Sequence, residues 1–378
     1  MIRLSVVLLS LLLFSLSGCV GLGKMLSQLP PELQMKEVGK TDSASPFAVS
    51  RDGKIAAVHE EEIEIISPDG HVVKTGKIVG QRPNILSFSH NGTLLLAALP
   101  TATGSSLRLL TLDGKVLAEA TLPGRVTAAL WRDNQQVEAA ALNIRRSSDG
   151  TQLTSVLYDW DNSGTPLVTT LSAVTIHSDL SKLSDELLLN TLNLSLSPYG
   201  DEIAYSMMKD LPKFSPYQAV ITRRIDSGSE HEVTRTSVGS GGPIYGPDGD
   251  TLLVGDSRSV TRRVTIPDGR EIYAWPSQGS YPSMSPSGKY LFLDGHLYRD
   301  GQTLATFPKE SRAEFLSNGS GLVLLYGSRL YLVSGLEDQA AAKPAANTKL
   351  LELRKLRSQG VISERDYRAR RDKLKGQK

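Results

Sequence analysis

Cysteine occurs once in the 378 residues, as Cys19. A thiolate is the strongest nucleophile among the side chains, so this position suits a covalent modification. The six histidines are His59, His71, His90, His177, His231 and His296. No two fall at metal-ligand spacing, and His-Glu-x-x-His does not occur. His90 occupies a turn and reads as a surface residue. Asp159-Trp160-Asp161-Asn162-Ser163-Gly164 begins like a calcium loop, with oxygens at alternate positions and glycine sixth. Its twelfth position is Thr170, where a bidentate Glu is expected, so an ordinary Asn-Ser-Gly turn is the better reading. A Gly-x-Ser-x-Gly elbow and a phosphate-binding glycine loop with Lys do not occur either. The sequence therefore calls for no catalytic residue, no cofactor and no metal.

The neighbours of Cys19 narrow its chemistry. Arg3 precedes an apolar run from Leu4 to Leu16, and small Ser17 and Gly18 follow. That order is a secretory signal peptide. The run is shorter than the roughly 20 residues a spanning helix needs. Leu16-Ser17-Gly18-Cys19 resembles the lipobox of bacterial lipoproteins. The resemblance implies removal of residues 1–18 and a diacylglycerol on the Cys19 sulfur. One acyl chain holds only reversibly, whereas two or three anchor stably. Val20 follows, and the resemblance reserves Asp at that position for inner-membrane retention. An outer-membrane location facing the periplasm is thus expected. With no second cysteine, stability must come from packing rather than disulfides.

Residues 19–45 read as a tether, and 337–347 as a linker rich in Ala and Pro. Between them the chain repeats an apolar strand, a tight turn and a second apolar strand. The turns are Arg51-Asp52-Gly53, His90-Asn91-Gly92, Tyr199-Gly200, Asp248-Gly249, Ser287-Gly288 and Asn318-Gly319. Asp133-Asn134 is a weaker copy, in which Asn is expected to take the positive φ of glycine. Second turns at Asp69-Gly70, Asp113-Gly114, Ser227-Gly228 and Asp268-Gly269 signal further hairpins. Four strands recurring about every 40 residues indicate a β-propeller. Seven units predict an all-β, seven-bladed ring over residues 46–336, with six or eight blades as alternatives. Tyr281-Pro282-Ser283-Met284-Ser285-Pro286-Ser287-Gly288-Lys289 closely resembles the WD40-like repeats of the TolB family. The last unit is one strand short, and Leu33–Val38 is expected to supply it and close the ring.

In such a blade the first and third turns share one face. The middle turn and the link to the next blade share the other. Long connections are expected on that second face at Pro100–Ser106, Arg145–Thr151 and Lys209–Tyr217. The link between blades three and four carries Leu180, Leu183 and Leu187 at helical spacing. Thr101, Thr103, Arg145, Arg146, Lys182, Lys209, Phe214 and Tyr217 are the candidate binding face.

Residues 348–378 change character, with eleven Lys and Arg against four Asp and Glu, a net +7. The whole chain is +2, so residues 19–347 carry about −6 once Arg3 leaves with the signal. Leu350, Leu353 and Leu356 recur at helical spacing up to Gly360, and Ser363 and Asp366 form a capping box for a second helix. Leu353-x-x-Leu356, then Gly360-Val361-Ile362-Ser363-Glu364-Arg365-Asp366-Tyr367, resembles the short C-terminal domain called SHOCT. That resemblance implies an interaction or oligomerisation module. Two short helices bury little surface alone, so Leu350, Leu353, Leu356, Ile362, Tyr367 and Leu374 need a partner. The basic charge also suits anionic headgroups, at about 1 kcal/mol per residue. Nucleic acid is not expected in an envelope compartment.

The leading expectation is a lipid-anchored, non-catalytic propeller that binds a protein in the envelope and self-associates through the C-terminal helices. A periplasmic hydrolase or lyase with carboxylates around the channel is the alternative. A glycan- or peptidoglycan-binding module is a third.

Overall fold

The computed structural model describes residues 29–42, 45–77, 82–161, 164–177, 183–209, 217–236, 241–256, 259–277 and 282–337, and ten positions between 352 and 373. Residues up to 338 form one compact unit, and 339–378 form a second.

The first unit holds seven four-stranded antiparallel sheets. In chain order the blades are 47–77, 85–123, 125–176, 193–236, 244–276, 283–306 and 312–334. Blade seven has three strands of its own, and strand Gln34–Lys40 pairs with Arg329–Ser334 as its fourth. The first strands of blades one to five meet in succession around the axis, as do those of blades six and seven, and Phe47–Val49 meets Arg312–Phe315 across the joint between blades one and seven. That joint is also bonded. The Val49 N–H donates to Glu314 Oε2 at 2.9 Å, and Arg312 donates to the Ser45 carbonyl at 2.8 Å.

Alternation along the strands builds the core. In the second strand of blade three, Val137, Ala139 and Ala141 pack toward blade two, while Ala140 and Leu142 pack toward blade four. This is the two-residue period of a strand buried on both faces. Seven apolar clusters result, each sandwiched between two neighbouring blades.

The repeated turn has a local cause. Ser50 Oγ accepts the Lys54 N–H at 2.7 Å and donates to Asp52 Oδ1 at 2.6 Å. Ser89 does the same with Leu94 and Asn91. The glycine then turns at φ of 85° in Gly53 and 69° in Gly92, where a Cβ would clash with its own backbone. Asn134 departs from the expected reading and does not adopt positive φ. Its turn is made by Asp133, whose Oδ1 accepts from Gln135 and Gln136 at 2.6 and 2.8 Å. That leaves Asn134 Oδ1 to accept the Asn91 N–H at 2.9 Å, tying blade three to blade two.

In the second unit, Glu352, Leu353, Leu356, Asp366, Tyr367, Ala369, Arg370 and Lys373 are helical. Tyr367 is fully buried, Leu353 is nearly so, and Ile362 is half-buried. Leu350, Leu374 and the proposed cap at Ser363 lie outside the described residues, as do Cys19, Leu16, Ser17 and Gly18.

Candidate binding face

The glycine turns occupy one face of the ring, and the blade-to-blade links occupy the other. On the link face, two of the expected long connections are tight hairpins. In blade two the second strand runs to Pro100 and the third starts at Gly104, so Thr101 and Thr103 sit in a three-residue turn. In blade three the strands Val137–Ser147 and Gly150–Trp160 are 11 residues each and turn over Ser148-Asp149 alone. Arg145 and Arg146 are therefore strand residues, paired with Gln152 and Thr151. Their polarity suits the exposed end of a long hairpin as well as it suits a loop. Lys182 and Phe214 lie outside the described residues.

The link between blades three and four contains helix Asp185–Leu189. Ser184 caps it, accepting the Leu187 N–H at 3.3 Å. Of the leucines at helical spacing, Leu187 lies in this helix and Leu183 just before its cap. Leu188 and Leu192 are buried in the core, while Leu187 is exposed. Leu180 lies outside the described residues, and Leu183 packs only partly. The link is fastened from beneath. Gln218 and Ser206, both fully buried, donate to the Thr191 carbonyl at 3.2 and 3.1 Å. Blade three reaches it from the side, where Arg146 donates to Asp185 Oδ1 and the Leu183 carbonyl, each at 2.6 Å.

Lys209 and Tyr217 face each other across the register of blade four. Both converge on Glu232 Oε2, at 3.0 and 3.4 Å. Arg235 completes the group, 2.7 Å from Glu232 Oε1 and 4.6 Å from the centre of the Tyr217 ring. Burial raises the Glu232 carboxyl, but the bonds from Arg235 and Lys209 outweigh it and hold the group below its ordinary value. Arg262 of blade five donates to the Arg235 carbonyl at 3.3 Å and pairs with Asp256 at 3.4 Å. Two separate groups result: Arg146 with Asp185 between blades three and four, and a network of Lys209, Tyr217, Glu232 and Arg235 on blade four that reaches Arg262 and Asp256 of blade five. Thr101 and Thr103 sit apart from both on blade two. Sequence reading missed Glu232, Arg235, Asp256 and Arg262. Finding them needs the pairing register, which slips between Val220 and Ile221.

Among the described residues, the seven first strands contribute a single carboxylate, Glu314. Burial raises Glu314 to about 7, against the opposing pull of the Val49 N–H and Arg312. The other raised carboxyl, Glu138, lies in the second strand of blade three. Burial and then Asp159 push it up to about 7, partly offset by Arg132. Asp159, the first residue of the calcium-like segment, faces Arg132 at 3.2 Å. The Trp160 indole N–H donates to the Gly164 carbonyl, as in an ordinary turn, while Asn162 and Ser163 lie outside the described residues. Among the described residues, no three of His, Cys, Asp and Glu gather around a common point.

No family model matches the sequence, and no curated protein matches it. Solved structures do match. The β-propeller domain of Cps50 (Swd1) from Myceliophteria thermophila aligns at 16% identity and TM-score 0.55, over 80% of this chain and 99% of its own. A chain of the mitotic checkpoint complex aligns at 12% identity and TM-score 0.56, over 81% of this chain and 95% of its own. At such low identity the likeness speaks to architecture alone, and with the sheet order it establishes that residues 34–334 form a WD40-like seven-bladed β-propeller.

Proposed function

We propose that this protein is a lipid-anchored envelope propeller that binds a protein partner without catalysis, related to TolB-type propellers. Cys19 carries the anchor, the charged groups of the link face on blades three to five receive the partner, and the basic helices of 348–378 assist association. The observation that supports the non-catalytic reading is the inner ring, where an enzyme built around the channel would gather several carboxylates and the seven first strands, among the described residues, carry Glu314 alone. The structural neighbours belong to protein assemblies in one case by name, which agrees with a scaffold role.

Affinity purification from detergent-solubilised envelopes tests this reading. The wild type should retain a stoichiometric partner. A variant with Lys209→Ala, Tyr217→Ala and Arg146→Ala together should lose it, and deletion of 348–378 should weaken it. Retention of every partner by the triple variant would refute the binding face. Cys19→Ser should abolish both signal cleavage at that site and membrane retention.

A further inference from the structure

Both ends of the ring's chain leave by the same face at the same blade. Gln34 pairs with Ser334, the last residue of the third strand of blade seven. Both therefore lie on the glycine-turn face, where third strands end and fourth strands begin. The two exits touch, since a Cβ on Gly335 would sit 2.0 Å from the Glu32 carbonyl oxygen. The segment preceding Leu29 and the segment following Glu337 both start from this point.

The rim of that face is also where apolar side chains are exposed. Directly after their turns, the fourth strands open with Val72-Val73 in blade one, Val116-Leu117 in blade two and Leu167-Val168 in blade three. In blade five Ile272-Tyr273 follow the opening Glu271 and are exposed as well. These are eight of the ten exposed large hydrophobics among the described residues, and Leu167 and Val168 are 73% and 60% exposed. Blades four and six carry Glu230-His231 and Gln302-Thr303 at the equivalent places. Three of the four apolar pairs are thus on consecutive blades, next to the blade from which the tether leaves. They lie on outer strands whose outward N–H groups have no neighbouring strand, an edge that proteins ordinarily blunt with charge.

We infer that this rim is a lipid-contact surface. The glycine-turn face rests on the headgroup region of the bilayer that holds Cys19, and the apolar pairs of blades one to three enter the interface. The inference rests on Cys19 being the anchor, and tether length selects the face. Nine residues lie between Cys19 and Leu29, so the ten steps from one to the other reach at most about 35 Å at ~3.5 Å per residue. The link face lies one fourth strand further away, about 20 Å for Gln34–Lys40. Turning the link face to the membrane would consume most of the tether. The turns of the same face mix Asp69, Asp113 and Asp268 with Lys54, Lys115 and Arg270, so the apolar pairs rather than net charge carry the contact, and zwitterionic headgroups suffice for it. The binding network then points away from the membrane, open to a partner.

The mature chain, residues 19–378, can be held on phosphatidylcholine vesicles by coupling the Cys19 thiol to a maleimide-bearing lipid. Amide hydrogen exchange is then compared on and off the vesicle. Exchange at 116–118 and 167–169 should slow by about five-fold or more, because those edge amides are otherwise open to water. The turns at 101–103 and 148–150 should be unchanged. Leu117→Ser with Leu167→Ser should abolish the slowing. Unchanged exchange at the rim would overturn the inference. So would protection at 148–150, or rim protection that appears only when envelope proteins are added. Chemical coupling makes the outcome independent of acylation in the cell. The mass of the N-terminal peptide from native membranes tests that separately, and a bare thiol there would defeat the anchor alone.

Discussion

The joint between blades three and four and the joint between blades five and six are built on very different scales. Among the described residues, the first encloses fourteen that are apolar and buried, reinforced by the helix-bearing link through Leu188 and Leu192. The second, counted the same way, encloses Leu253, Trp275, Leu291 and Leu293. Strand length explains the contrast. The second and third strands of blade three run 11 residues, while the first strands of blades five and six are two residues each. Apolar burial scales with area, at about 25 cal/mol per Å2. The ring is therefore stiff on one side and soft on the other. The charged network lies on the stiff side, where Gln218 and Ser206 fix the link from below. A binding surface needs such a base, because disorder in the unbound state is a cost at the moment of association.

Substitutions at the two joints test this asymmetry directly. Ile203→Ala, in the larger cluster, should cost about 3–5 kcal/mol in urea unfolding. Leu293→Ala, in the smaller one, should cost nearer 2 kcal/mol, since fewer neighbours lose contact. Equal losses would break the comparison. The next largest effect is expected at Glu138, on the stiff side. Its carboxyl is raised to about 7 in the folded chain from 4.5. Between those values the folded state holds the proton more tightly than the unfolded state, so stability falls as pH rises through the window. Glu138→Gln should therefore stabilise the protein by about 1–3 kcal/mol at pH 8 and leave it unchanged at pH 4, as read by thermal unfolding across pH.

Two smaller effects sharpen the picture of the link face. Tyr217→Ala removes a hydrogen bond to Glu232 and the face beneath Arg235, and should cost about 1 kcal/mol. Arg146→Ala breaks a largely exposed pair with Asp185 and should cost less than about 1 kcal/mol. A marked drop in partner capture by this variant, at nearly unchanged stability, would assign Arg146 to recognition rather than to the fold.

Much of the ring could be read from local chemistry. The Ser-x-Asp-Gly turns are specified within a few residues, because the serine hydroxyl, the acid and the glycine meet one another. The missing fourth strand of blade seven could be inferred by counting, since an unpaired third strand leaves an exposed edge. The hairpin of blade three could not. Arg145-Arg146-Ser147-Ser148-Asp149-Gly150 is polar because it projects from the ring, and polarity looks the same on a projecting strand and on a loop. The link helix could be read from its leucines, but not which of them is buried: Leu188 and Leu192 turn inward and Leu187 is exposed. Glu232 and Arg235 meet Tyr217 only through long-range pairing with a bulge, and no local rule encodes that.

The closing strand also sets the order of events during synthesis. Gln34–Lys40 emerges early, but its partner Arg329–Ser334 lies about three hundred residues later. Each blade can gather its own hairpins as it appears, yet the circle stays open until residues 329–334 have been made. Contacts that distant form slowly and late. Until then blade one and the incomplete blade seven present raw edges, the state most open to aggregation or to a chaperone. A chain cut short anywhere before residue 329 cannot close at all. The seam thus makes completeness a condition of the native state, and truncated products keep an open edge on which proteolysis can act.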